Sequence, residues 1–310
     1  MHSNKPVIPI FFSTDDNYAP YLGAAVRSLT QNASRDHLCK IYVLTTSLST
    51  ANRLALRRCV KGCAEIEFVN VQQSLDKIGS KLHLRDYYSK ATYYRFFIAE
   101  LFPQYEKAVY LDCDIIVNGD ISEFYNVELG NNLLGAVRDE VVYQTPVFTD
   151  YVERVLEVSR EHYFNAGVLL LNLAEFRRRD ILGAFTELLG KRRFDVAQDQ
   201  DYLNVISYGS VAKIGIEWNK PPIVDALLGS AIPKLVHFNL NRKPWNYEDI
   251  MYGEIFWHYA LQTPFAERLV DGLGAYSEEL RRRDQNDFYR LCRLAARQAS
   301  EAELTVLCNA

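Results

Sequence analysis

The ten residues 108–117, AVYLDCDIIV, hold two carboxylates in an otherwise apolar run. Asp112 and Asp114 stand two apart, and in an extended chain that spacing turns both side chains to one face. A carboxylate buried without a partner charge is costly. The flanks KAVYL and IIV leave little room for solvated acids, so a cation is the expected partner. Hard oxygen donors at this spacing suit Mg2+ or Mn2+, which keep open positions for substrate phosphates. Two solvated acids just past a strand end are the competing reading, and the apolar frame weighs against it.

Other stretches carry candidate groups. LVHFNLNRKPWNY, residues 235–247, ends a strand-like run at His237 and follows it with Arg242 and Lys243. An imidazole would complete a two-carboxylate site and tilt it toward Mn2+. Lys243 could neutralise a phosphate as a point charge. Taken alone, a histidine at a strand end is more often structural. VAQDQDYLN, residues 196–204, sets Gln198, Asp199, Gln200 and Asp201 just before an apolar helical run. Either aspartate can cap a helix. Two acids and two amides can equally line a sugar pocket, and the residues leave these readings even. Asn165, in YFNAGVLLLNL, reads by itself as a turn residue before a buried strand. Arg95 sits in the apolar ATYYRFF, and a buried arginine needs an anion from protein or substrate.

Strand-like runs at 7–13, 40–46, 66–71 and 108–112 alternate with helical patterns at 18–31, 50–60 and 92–101. This βαβαβαβ order predicts an α/β fold with a mostly parallel central sheet and helices on both faces. Further strands are expected at 133–139, 166–173 and 231–238, and helices at 173–190 and 248–262. Beyond about residue 263 the pattern turns helical and arginine-rich. One α/β domain over 1–262 with a helical C-terminal appendage over 263–310 is expected. Ligands of open α/β sheets sit beyond the carboxyl ends of the strands. The first such loop is FSTDDNYAPYL, residues 12–22. A dinucleotide-binding domain would carry G-x-G-x-x-G there, yet no glycine precedes Gly23. No P-loop motif occurs either. A nucleotide held here would need a cation at its phosphates, which returns to Asp112 and Asp114.

The 310 residues are 48% hydrophobic, enough for a full core rather than disorder. A net charge of −4 argues against a nucleic-acid partner, which would want a basic face. Six cysteines without a C-x2-C pair indicate no zinc ribbon and suit reduced thiols in a cytoplasmic protein. No secretory leader and no membrane-spanning run are read, so a cytoplasmic location is expected. The arginine-rich helix at 277–298 offers peripheral contact with an anionic inner membrane face. Packing of that helix on the domain is the slightly favoured alternative.

Together these stretches resemble glycosyltransferase family 8. The order matches over residues 7–262: an acidic DDNYA first loop, a Y-x-R helix, YLDCDIIV, FNAGVLLLNL, QDQDYLN and a final H-x5-KPW. The nearest likeness is to bacterial lipooligosaccharide galactosyltransferases and related lipopolysaccharide glycosyltransferases. The resemblance implies a GT-A, Rossmann-like nucleotide-diphospho-sugar transferase fold. It also implies a UDP-hexose donor (Gal or Glc), Mn2+, retention of anomeric configuration, and a glycan or lipid-linked acceptor. Carried over by motif, Asp112, Asp114 and His237 would be metal ligands. Ser13, Asp15, Asn17 and Tyr18 would hold uracil and ribose, and Lys243 the diphosphate. Arg95, Asn165, Ala166, Asp199 and Gln200 would surround the donor sugar, with Asp139 near donor and acceptor. Asp199, Gln200 and Asp139 are thus the catalytic candidates. The family often has glycine three residues after the metal histidine, where this chain has Leu240.

Two other readings share the motifs. A UDP-sugar-binding relative without catalysis would keep the pocket, but candidates stand at every metal position. Haloacid-dehalogenase-type phosphatases also end a strand in D-x-D. There the motif follows the first strand; here it follows three.

Overall fold

The structure, a computed structural model, describes residues 5–77, 90–224, 232–239 and 241–309. Leu240 and the first residue of the expected strand 231–238 lie outside them. Nine strands are described: β1 Val7–Ser13, β2 Leu38–Thr45, β3 Ala64–Asn70, β4 Lys107–Leu111, β5 Ile115–Val117, β6 Leu134–Arg138, β7 Phe164–Asn172, β8 Val211–Lys213 and β9 Leu235–His237. Seven form one sheet in the order β3-β2-β1-β4-β7-β6-β8, and β5 with β9 forms a two-stranded ribbon. The helices are α1 Ala19–Asn32, α2 Thr50–Cys59, α3 Gln72–Asp76, α4 Ile98–Leu101, α5 Ile121–Tyr125, α6 Glu140–Gln144, α7 Pro146–Arg154, α8 Leu173–Arg178, α9 Ile181–Lys191, α10 Asp199–Ser207, α11 Gly253–Ala260, α12 Ala266–Ala275 and α13 Glu278–Asn309.

The expected βαβ alternation is present: β1 runs parallel to both β2 and β4, and β2 parallel to β3. One strand reverses, for β7 pairs antiparallel with β4 and with β6. A strand buried on both faces reads as one apolar run whichever way it points, so direction is not legible in FNAGVLLLN. Residues 90–97 form a 3-10 turn rather than the start of an α-helix. The expected helix over 173–190 is two helices, broken where Asp180 takes a left-handed conformation (φ 48°) and caps α9 at Gly183 N–H.

Apolar side chains fill both faces of the sheet. One core gathers β1, β2, β4 and β7 residues with Phe96, Phe185 and Tyr202, and it extends to Ala295 and Ala299 of α13. The other packs α1 and α11 on the opposite face, with Trp245 and Phe265. Gly23 is where Phe265 crosses α1: a Cβ there would stand 2.6 Å from its ring. No described helix is long and apolar enough to cross a membrane.

Candidate active site

Two strand pairings assemble the site at the carboxyl ends of β1 and β4. Asp112 and Asp114 occupy the break between β4 and β5, where the chain passes from the main sheet to the ribbon. Antiparallel pairing in the ribbon sets Ile115 opposite His237, and Phe238 N–H donates to the Asp114 carbonyl at 2.8 Å. On the other side the β4–β7 register brings Gly167 beside Asp112, whose N–H donates to the Gly167 carbonyl at 2.7 Å. Ligand atoms of Asp112, Asp114 and His237 all lie within 4.8 Å of one another.

The surroundings fit a divalent cation. His237 Nε2 lies 3.2 Å from Asp114 Oδ1 and 3.9 Å from Asp112 Oδ2. Gly167 leaves the space open, because a Cβ there would meet His237 Cε1 at 2.2 Å and Asp112 Oδ2 at 2.6 Å. Burial pushes the Asp114 carboxyl up, but Lys243 and His237 more than offset this and hold it well below the usual carboxylate range. Lys243 Nζ donates to Asp114 Oδ2 at 2.7 Å. Two carboxylates with an imidazole nitrogen are a donor set for Mn2+ or Mg2+.

A chain of side-chain amides fixes which imidazole nitrogen faces that site. Gly167 N–H can only donate, so the Asn165 atom it meets at 3.0 Å is the oxygen Oδ1. Asn165 Oδ1 also accepts from Asn219 Nδ2 at 3.0 Å, which turns Asn219 Oδ1 toward His237 Nδ1 at 2.9 Å. The Nδ1–H must therefore donate, leaving the Nε2 lone pair free for a metal. Asn219 escapes sequence reasoning, since an amide in EWNKPP follows no periodicity. Asn219→Ala is expected to weaken Mn2+ affinity about 10–100-fold, the usual cost of losing such a partner, with far-UV circular dichroism unchanged. Manganese EPR titration reads this directly, and unaltered affinity would remove Asn219 from the site.

Beside Asp112, Arg95 is buried and bound on every side. Its Nη2 lies 3.1 Å from Asp112 Oδ1 and its Nε 3.1 Å from Asp199 Oδ2. Its guanidinium lies 4.3 Å from the centroid of the Tyr110 ring, and the Ala166 carbonyl accepts from Nη1. The anion that a buried arginine needs is thus supplied by protein. Its Nε–H is directed at the Thr92 carbonyl, so Asp199 Oδ2 receives the charge of Arg95 without a directed hydrogen bond. Burial pushes the Asp199 carboxyl up to about 7, with Arg95 opposing and Asp112 adding to the rise.

The even reading of the two aspartates in QDQD resolves into a division of labour. Asp201 turns inward, accepting from Tyr151 OH at 2.8 Å, Tyr163 OH at 2.7 Å and Ala197 N–H at 2.8 Å. Asp199 turns to Arg95 and the cavity. The N-cap position is neither aspartate but Gln198, whose backbone is held at φ 49°. Gln200 is locked in place: Oε1 accepts from Ala166 N–H at 2.9 Å, and Nε2 donates to Asp139 Oδ2 at 3.1 Å and Tyr163 OH at 3.0 Å. Asp139 caps α6 through Oδ1 and takes Asn165 Nδ2 at 3.2 Å through Oδ2.

In the first loop, Asp15 Oδ1 accepts from the N–H groups of Asn17 and Tyr18 at 2.9 and 3.1 Å. Asp16 points away, to Ser49 N–H and Asn52. Ser13 Oγ is buried without a hydrogen-bond partner. Tyr21 and Trp245 stack at 3.8 Å beside this loop, an aromatic wall that nothing in the sequence announces. Ser13, Asp15, Asn17, Tyr18, Arg95, Asp112, Asp114, Asp139, Asn165, Ala166, Asp199, Gln200, His237 and Lys243 all line a single cavity of about 1230 Å3.

Comparison with known proteins identifies the family and the fold. The model described as Glycosyl transferase family 8 matches residues 9–249. A putative glycosyltransferase of Haemophilus influenzae is 28% identical over 223 residues, covering 69% of this chain and 63% of its own. General stress protein A of Bacillus subtilis is 27% identical over 282 residues, covering 83% and 94%. The bifunctional glycosyltransferase WbbM superposes with a TM-score of 0.75 at 25% identity, over 88% of this chain and 53% of that one. The galactosyltransferase LgtC, solved with donor and acceptor sugar analogues, superposes with a TM-score of 0.68 at 27% identity, over 83% and 96%. The chain therefore spans less than two thirds of the Haemophilus relative and about half of WbbM.

Proposed function

Because the chain belongs to glycosyl transferase family 8 and has its GT-A fold, we propose that it moves a hexose, galactose or glucose, from a UDP-sugar to a hydroxyl of a glycan or lipid-linked acceptor. The transfer is Mn2+-dependent and retains anomeric configuration. The observation that carries this reading is the meeting of Asp112, Asp114 and His237 beside Lys243, in the same cavity as Arg95, Asp199 and Gln200. A cation site with a lysine suits a diphosphate, and buried carboxylate and amide groups suit sugar hydroxyls.

The roles follow from the chemistry. Ser13, Asp15, Asn17 and Tyr18 hold the nucleoside, with Tyr21 and Trp245 as an aromatic wall for the base. Asp112, Asp114 and His237 would hold a divalent ion, which when bound would supply counter-charge to the leaving diphosphate. Lys243 adds a second positive charge there and exchanges its present partner, Asp114, for phosphate oxygens as donor binds. Arg95 keeps Asp112 and Asp199 in place. Asp199, Asn165 and the Ala166 backbone face the donor sugar. Gln200 Oε1 is already committed to Ala166 N–H, and an amide oxygen is a weak nucleophile. Same-face attack, with the departing phosphate taking the acceptor's proton, accounts for retention without a covalent intermediate.

A donor screen tests the reading. UDP-Glc, UDP-Gal and UDP-GlcNAc are offered with Mn2+, UDP release is followed, and product anomeric configuration is read from the proton coupling. One hexose is expected to be preferred and the product to be α-linked. A β-linked product would defeat retention, and no release from any donor would defeat the donor class. A sugar-nucleotide binder without catalysis predicts saturable UDP binding with no release.

A further inference from the structure

Lys243 sits in a short loop that two separate parts of the chain hold. The domain grips its middle: the Trp257 indole N–H donates to the Pro244 carbonyl at 3.1 Å, and Trp245 stacks on Tyr21 with ring centroids 3.8 Å apart. The flanks, Asn241 and Tyr247, are held by α13. That helix begins at Glu278, beyond the family match, which stops at residue 249.

The contacts centre on Asp284. Its Oδ2 accepts from Tyr247 OH at 2.9 Å and Tyr276 OH at 2.7 Å, and its backbone carbonyl accepts from Asn241 Nδ2 at 3.1 Å. Tyr247 passes the restraint on, because its own N–H donates to the Lys243 carbonyl at 3.0 Å. Burial and the Asp284 carboxylate push the Tyr247 hydroxyl up to about 12, so it stays a donor at neutral pH. The guanidinium groups of Arg242 and Arg281 lie 4.9 and 5.0 Å from the centroid of its ring and add cation–π contact.

The helix is a fixed support. Asp284, Phe288, Leu291, Ala295 and Ala299 recur at helical spacing on one face. Phe288 meets Phe148 of α7 edge to face, with ring centroids 6.2 Å apart, and Ala295 and Ala299 are buried in the core. Asp284 is the polar end of this stripe, and the loop is what it meets.

A carboxylate at this place runs against the charge of the ligand. Asp284 lines the same cavity as Lys243, where a negative group opposes an anionic diphosphate. Holding the loop gives it a use there. Lysine meets phosphate as a point charge on a flexible stem, so its contribution depends on where its backbone is held. In a loosened loop Lys243 would be in place for only a fraction of the time, and apparent affinity falls by that fraction.

We infer that Asp284 is a positioning residue for Lys243: through Tyr247 and Asn241, α13 fixes the loop so that the Lys243 ammonium meets the donor diphosphate. The inference rests on the reading of Lys243 as the diphosphate contact.

UDP and uridine, titrated calorimetrically into the full chain with Mn2+, separate the phosphate contacts from those to base and ribose. Asp284→Ala is expected to weaken UDP about tenfold and uridine by less than about twofold. Asp284→Asn keeps an oxygen acceptor and should bind UDP at least as tightly as the wild type. Removing a negative charge beside an anion site by itself tightens the anion, so a loss in Asp284→Ala alone comes from the hydrogen bonds. Tyr247→Phe deletes one hydroxyl and little volume, tests the same link should Asp284→Ala fold poorly, and is expected to weaken UDP about fivefold. In a Lys243→Ala background, Asp284→Ala should add less than about twofold. Additive losses in the double variant, equal weakening of uridine, or UDP affinity unchanged in both Asp284→Ala and Tyr247→Phe would overturn the assignment. UDP binding indifferent to Lys243→Ala alone is a different result: it removes the diphosphate role of Lys243, and the inference with it.

Discussion

Asp199→Asn is expected to fold, to melt within a few degrees of the wild type, and to lose about 10²–10³-fold in kcat, by comparison with other contacts that strengthen in a transition state. The side chain caps no helix, so the stability cost of a lost cap does not apply. It is buried against Arg95 and faces the cavity. The substitution is close to isosteric and removes the charge that Arg95 answers. Burial pushes this carboxyl up to about 7 in the free protein, so the wild type should show an acidic limb in kcat/KM near that pH as the charged form is lost, and the Asp199→Asn variant should lack the limb. The stability linkage has the opposite sense. A folded-state value raised above the ordinary 3.8 favours the protonated form, so its contribution to stability is full below that value and is lost as pH rises through about 7. Asp199→Asn should therefore melt relatively higher than the wild type at pH 8 than at pH 5. A sharp fall in melting temperature with kcat preserved would make the residue structural. Gln200→Ala, by contrast, should be slowed and not silenced, since the departing phosphate can take the acceptor's proton.

Asp114→Ala is expected to remove donor turnover altogether and, separately, the stabilisation that a bound divalent ion confers. Its carboxylate touches both His237 and Lys243, so the change takes away a ligand and leaves the Lys243 ammonium without its carboxylate. A cation present at about 100 times its Kd stabilises the folded state by roughly 2.7 kcal/mol. Adding Mn2+ should thus raise the melting temperature of the wild type by several degrees and that of Asp114→Ala hardly at all. An equal shift in both proteins would place the ion elsewhere.

How much of this is legible in the sequence depends on which physical signal each group carries. Asp112 and Asp114 announce themselves because two charges in an apolar run demand an explanation. The first three parallel strands announce themselves through alternation with amphipathic helices. Asn219 and Gly167 carry no such signal. One matters through its link to His237 Nδ1, the other through the Cβ it lacks, and both roles exist only once β9 and β7 have been brought to Asp112. The turning of β7 is hidden by its uniform burial. The bend between α8 and α9 is hidden because Asp180 adopts a left-handed conformation that few side chains tolerate. The apolar stripe of α13 is visible as a stripe, but a membrane and the domain's own core are equally good solvents for it. Ala295 and Ala299 show that the core takes it.

The central claim is that Asp112, Asp114 and His237 together hold the ion on which sugar–phosphate cleavage depends. It is tested most directly by UDP release from the preferred UDP-hexose in excess EDTA, followed by titration with Mn2+, Mg2+ or Ca2+. Release should cease in EDTA and return with Mn2+ far more than with Ca2+, because an imidazole in the donor set disfavours the larger, oxygen-seeking ion. Release at the full rate in excess EDTA would contradict it.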